Sequence, residues 1–180
     1  MTSGAVGEPS DGTHVEMRVS CLTIDPFTNM PILVLKDLRG RNPVPIWIGL
    51  IEASAIAAEL EKVELARPMT HDLMKVMLGA VGVAVTRVEV TDLRENTFYA
   101  SIVLCREGKT FVIDARPSDA IALALRANCS IRVARKVIEK SRSIDLRSLD
   151  REGSGEPVDP ETYRHFLENL SDDAFGKWKM

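Results

Sequence analysis

Asp114-Ala115-Arg116-Pro117-Ser118-Asp119-Ala120 places two carboxylates, a guanidinium and a hydroxyl between two apolar runs, 110–113 and 121–125. The first run reads as a strand and the second as a helix. A helix start leaves backbone N–H groups without partners, and its dipole favours anions. Asp114 and Asp119, five positions apart across the bend, could converge on one Mg²⁺ or Mn²⁺, because hard cations take oxygen ligands. An ion held there would polarise a phosphodiester and activate an attacking water. Arg116 could clamp a phosphate oxygen. The same residues also have a purely structural reading. Ser118 or Asp119 would be an N-cap, Pro117 would stiffen the turn, and Asp114 would pair with Arg116. Spacing by itself favours that second reading.

Thr70-His71-Asp72 is the next cluster. His71 is the one histidine inside the expected core, since His14 and His165 lie in its flanks. It could serve as a general base, with Asp72 orienting it or joining a metal site. The plainer reading is a Thr cap followed by a dipole-compensating Asp. Glu52, after Gly49, falls in a first helical turn, where an acid needs no function. Asp92 and Arg94 lie in a turn, and Tyr99 could stack on a base or simply pack. There is no P-loop, no G-x-G-x-x-G, no G-x-S-x-G and no H-E-x-x-H, so nucleotide-cofactor and serine-hydrolase chemistry have no support.

Period-2 and period-3.6 patterns place the elements that must hold these groups. Strands are expected at 15–24, 31–35, 44–48, 83–90, 97–105, 109–113 and 130–133. Pro45 suggests that the third lies at an edge or has just begun, 91–96 reads as a turn, and Glu107-Gly108 marks a hairpin. Helices are expected at 51–63, 71–81 and 118–126, with a short one at 137–140. Ala55, Ile56, Leu60 and Val63 would form the apolar stripe of the first. Leu73, Met74, Met77, Leu78 and Val81 would form that of the second, with Thr70 as its cap and Gly82 at its end. The fold class is α+β, a mixed, mainly antiparallel sheet with packed helices. Ala55-Ile-Ala-Ala-Glu-Leu60 is echoed 65 positions later by Ala120-Ile-Ala-Leu-Ala-Leu125. Two β-β-β-α halves from an internal duplication fit this, and so do two unrelated alanine-rich helices. Under duplication, the corner at 49–54 is the counterpart of the corner at 114–119.

The 180 residues, 45% of them hydrophobic, suit one domain with a tail. Residues 1–13 read as a flexible lead-in, 14–140 as the domain and 141–160 as a linker. Residues 161–180 carry an amphipathic helix (Tyr163, Phe166, Leu167, Leu170) able to dock on the core or on a partner. The net charge is −3, and residues 141–180 account for all of it. A neutral core argues against holding nucleic acid by bulk electrostatics, though it leaves room for a local basic patch. Cys21, Cys105 and Cys129 form no C-x-x-C pair and read as small buried hydrophobes in a reducing compartment. No apolar run approaches the length of a membrane span, and no secretory signal is visible. A cytoplasmic location without membrane contact is the expectation.

Four segments in order carry a resemblance: 45–53 (Pro-Ile-Trp-Ile-Gly with Glu52-Ala53), 67–72 (Arg-Pro-Met-Thr-His-Asp), Asp92-Leu93 with 97–100, and 114–125. Together they resemble the bifunctional nuclease domain, also known as a bacterial and plant domain of unknown function, over roughly residues 15–140. The resemblance implies an α+β fold, hydrolysis of DNA and RNA, a divalent metal (Mg or Mn) and self-association into a homo-oligomer. The positions matching its motifs are Glu52, His71, Asp72, Asp92, Arg94, Asp114, Arg116, Ser118 and Asp119. On that basis His71, Asp72, Asp114, Asp119 and Glu52 are catalytic candidates; Asp114 and Asp119, with Glu52 or Asp72, would hold the metal, and His71 would be the general base. Arg94, Arg116, Ser118 and Tyr99 would bind substrate. The alternative is a non-enzymatic regulatory or scaffold module whose polar corner takes a small anion or a protein partner.

Overall fold

Glu107 and Gly108, both at positive φ (51° and 74°), close a two-residue hairpin between β5 (Thr97–Arg106) and β6 (Lys109–Ala115). Right-handed strand twist favours such turns, and Gly108 takes its φ without a Cβ penalty. Glu95 and Asn96, at φ 47° and 60°, do the same between β4 (Ala84–Arg94) and β5. The expected turn at 91–96 therefore shrinks to two residues, and Asp92 and Arg94 belong to β4. Because Glu95 is not a usual positive-φ residue, the sequence hides this turn.

The computed structural model describes residues 12–63 and 66–142. The expected lead-in up to residue 11, the linker from residue 143 and the tail helix at 161–180 lie outside the described residues. β1 (His14–Ile24), β2 (Pro31–Asp37), β3 (Val44–Trp47) and β7 (Ser130–Ala134) complete one seven-stranded sheet in the order β3-β2-β1-β7-β4-β5-β6. All its pairings are antiparallel except that of β4 with β7. The expected α+β class with a mixed, mostly antiparallel sheet is what forms. Pro45 does lie in an edge strand, as its missing N–H requires.

Among the described residues four helices pack with this sheet: α1 (Leu50–Leu60), α2 (Thr70–Ala80), α3 (Pro117–Ala127) and α4 (Arg135–Ser141). The units β1-β2-β3-α1 and β4-β5-β6-α3 lie on either side of β7, and α1 packs on α3. Two β-β-β-α units are thus present. α3 is buried almost all round. Its alanines permit close approach of α1, α2 and the sheet. Leu33, Leu35, Ile46, Val88, Val90 and Val133 of the sheet join Ile56, Ile121, Leu123 and Val137 in one core.

Several helix details differ from the sequence expectation. α1 buries Ala53, Ile56 and Ala57 and stops before Val63, which is exposed. α2 buries His71, while Leu73, Met77 and Val81 of its expected inner stripe face solvent. Two polar contacts to α3, described below, set that rotation in place of the apolar stripe. Thr70 is the first helical residue and not the cap. The cap is Met69, whose N–H donates to Asp72 Oδ2 at 2.9 Å. Gly82, at φ 70°, ends α2 as expected. The three cysteines are free thiols, half-buried instead of buried.

Candidate functional site

β6 hands over to α3 through one residue. Ala115 ends the strand, Arg116 takes extended backbone as N-cap, and Pro117 opens the helix where its missing N–H costs nothing. Neither Ser118 nor Asp119 is the cap. β3 likewise hands over to α1, with Gly49 as N-cap and Glu52 in the first turn. Packing α1 on α3 brings these two corners face to face. The result is a cleft of about 280 Å³ lined by Gly49, Glu52, Arg116, Pro117 and Ser118. The end of β3 (Ile46, Trp47, Ile48) and the β4–β5 hairpin (Asn96, Thr97, Phe98) supply its other walls.

Arg116 organises this cleft. Its Nε and Nη2 donate to Oδ2 and Oδ1 of Asp119 at 2.7 and 3.1 Å, a bidentate pair. Its Nη1 donates to Glu52 Oε1 at 2.8 Å. The hydrogen bonds it donates to Asp119 first and Glu52 second push the guanidinium pKa up. Behind Asp119, the buried His71 places Nε2 3.4 Å from Asp119 Oδ1. The chain His71–Asp119–Arg116–Glu52 therefore joins α2, α3 and α1. The expected Asp114–Arg116 pair is replaced by these two.

Asp72 lies on the far side of α2's first turn. Its Oδ1 accepts from Arg126 Nε at 2.5 Å, and its Oδ2 from the Met69 N–H. Burial raises its pKa, but these two bonds outweigh that, and the net shift is downward. Arg126 escaped the sequence reading, although it is buried and also donates to the Ala122 and Ala55 carbonyls. It fastens α1, α2 and α3 together. The arginine that directly follows the apolar run 120–125 was the available signal.

Asp92 anchors α4 to the hairpin. It accepts from Lys140, Arg94 and Lys136 at 2.9, 2.8 and 3.1 Å, and these bonds hold its carboxyl well below the usual range. Arg94 lies 5.3 Å over the Tyr99 ring. Three cations thus meet on one carboxylate.

Asp114 stands apart from the cleft. It is exposed and pairs in register with Ser101. Its neighbour Ala115 packs on the core, so strand alternation turns Asp114 to the sheet face away from α3. A divalent ion shared by Asp114 and Asp119 does not fit this arrangement. Among the described residues no three His, Cys, Asp or Glu side chains are gathered to hold a metal. An ion between Glu52 and Asp119 would have to displace Arg116, which already bridges them.

Comparison with known proteins bears on the whole domain. An uncharacterized protein of Mycobacterium tuberculosis is 36% identical over 162 residues, covering 89% of this chain and 97% of its own length. Bifunctional nuclease 1 of Arabidopsis thaliana is 29% identical over 139 residues, 69% of this chain but 43% of the plant protein. Bifunctional nuclease 1 of Oryza sativa is 29% identical over 109 residues, and the match spans a third of its length. No helix among the described residues is long and apolar enough to cross a membrane. Residues 33–145 match the bifunctional nuclease domain, and the chain belongs to that family.

Proposed function

We propose that this chain hydrolyses phosphodiester bonds of DNA and RNA in the cleft between α1 and α3. The observation that carries this reading is the fixed Arg116 guanidinium at the cleft wall, with Glu52 and Ser118 beside it. Arg116 would bind the non-bridging phosphate oxygens and stabilise the charge that grows on them. Glu52 lines the cleft and is the base within reach of a water there. The water oxygen attacks phosphorus while its proton passes to Glu52. The bond from phosphorus to the leaving oxygen breaks, and that oxygen takes a proton from solvent. Asp119 orients Arg116, and His71 positions Asp119 from behind. His71 is thus a positioning residue in this scheme, because it does not line the cleft. Arg94, on the hairpin whose tip lines the cleft, and Lys136 and Lys140 of α4, which meet it at Asp92, would be a track for the flanking backbone.

The test is cleavage of RNA and DNA by purified protein with Mg²⁺, with Mn²⁺ and with EDTA, beside Arg116→Ala and Glu52→Gln. Each variant is expected to lose at least about 100-fold in rate while keeping its fold. Equal cleavage by both folded variants would point to a contaminating nuclease and end this assignment. Binding without cleavage under every condition would return the chain to the regulatory alternative. The EDTA arm decides whether a divalent ion takes part.

A further inference from the structure

We infer that the cleft admits one unpaired nucleotide, so that this chain selects single-stranded nucleic acid over duplex; the inference rests on the proposed phosphodiesterase reading. The first observation is a buried hydroxyl without a partner. Ser118 is 6% exposed, lines the cleft at the start of the 11-residue α3, and its hydroxyl makes no hydrogen bond to any described group. Buried hydroxyls are nearly always bonded, and an exception marks a place where a ligand or water completes the set. Arg116 stands two residues away with its side chain 64% exposed. Together they suit one phosphate, with the unpaired N–H groups of the α3 first turn behind them.

The side of the cleft built by β3 and the β4–β5 hairpin has a different chemistry. Trp47 and Phe98 line it, with Ile46 between strand and core. Aromatic walls of this kind take a nucleobase face regardless of its identity. Trp47 is held in place, since its indole N–H donates to Asp25 at 2.9 Å. Asn96 and Thr97 at the hairpin tip add an amide and a hydroxyl able to meet a base edge. In a duplex that edge is already paired and both base faces are stacked. The recess of about 280 Å³ lies just below the range of small-molecule sites, a size for a single base and not for a base pair. A paired nucleotide would have to leave its stack before entering.

The test uses binding in EDTA, so that it does not depend on turnover. The full chain contains two tryptophans, Trp47 and Trp178, and Trp178→Phe leaves Trp47 as the sole probe. A 12-nucleotide single strand and the same strand annealed to its complement are titrated, read by Trp47 emission and by anisotropy of an end label. Single-strand affinity is expected to exceed duplex affinity at least about tenfold, with a saturable change in Trp47 emission. Ser118→Ala, checked for folding by thermal melting, is expected to weaken single-strand binding about fivefold and leave duplex binding unchanged. Equal affinity for the two forms, or saturation without any Trp47 response, overturns the inference. Selective binding with no cleavage in the metal-supplemented assay would defeat the hydrolytic reading and leave this one standing. Cleavage with equal affinity for both forms would do the reverse.

Discussion

Gly49 lies against the carboxylate of Glu52. A Cβ at position 49 would fall 2.1 Å from Glu52 Oε2, and the backbone there (φ −71°) is open to any residue. Glycine is needed for close approach and not for an unusual φ. The atom in the way is the tip of a flexible side chain, so Gly49→Ala should shift Glu52 instead of unfolding the helix. The expected outcome is a melting temperature within about 2 °C of the parent and a cleavage rate at least about tenfold lower. A variant that melts normally and cleaves at the parental rate would remove Glu52 from the mechanism. Gly49 before an acid at the third helical position was readable in the chain. That Arg116, 64 positions on, would reach the same carboxylate was not, since no local pattern encodes the partner of an exposed guanidinium.

At the scale of elements, the helix layer is held by one buried arginine. Arg126, its side chain 3% exposed, spends Nε on Asp72 and its terminal nitrogens on the Ala122 and Ala55 carbonyls. Arg126→Met keeps the volume but strips a buried carbonyl and a carboxylate of their donor. The expected loss is about 3 kcal/mol, read as a lower urea midpoint at unchanged slope. A loss under about 1 kcal/mol would mean that apolar packing alone seats α2. The orientation of α2 shows why periodicity misjudged this helix. Its apolar residues outnumber the positions that the core can cover. His71 and Asp72 reach Asp119 and Arg126 only when the helix is turned so that Met77 and Val81 face out. Hydrophobic periodicity finds a helix, yet a buried polar contact can decide its rotation.

For the whole molecule, the acid side of the stability profile is set by a few carboxylates. Asp37 is held below the usual range by the Arg41 N–H, then by Asn42 and the Arg39 N–H. Asp92 is lowered by Lys140 first, then by Arg94, the Leu93 N–H and Lys136, while Met69 and Arg126 lower Asp72 against its burial. Each is easier to protonate unfolded, near pH 4, than folded. Their stabilisation is complete above that value and is lost as pH falls through the lower native values. The melting temperature should therefore be flat between about pH 7 and pH 5 and fall below about pH 4. Asp92→Asn should flatten part of that acid limb in melts recorded from pH 7 to pH 2. An unchanged acid limb would show that the ties of α4 to the hairpin carry no pH-dependent stability.

Turn residues, alternation and helix starts act within about ten residues, and within that range the chain declared itself. The seven strands, the four helices, the edge position of Pro45, the Glu107-Gly108 hairpin and the two polar corners were all legible. So was the family, through four short motifs kept in order. Which corner groups meet belongs to tertiary structure. β7 inserts between β1 and β4, the two β-β-β-α units fall on either side of it, and small residues let α1 close on α3. That packing joins Arg116 to Glu52 and His71 to Asp119, and it turns Asp114 to the far side of the sheet. Partners 48 and 64 positions apart are chosen by packing the core, and short-range sequence signals carry no information about that choice.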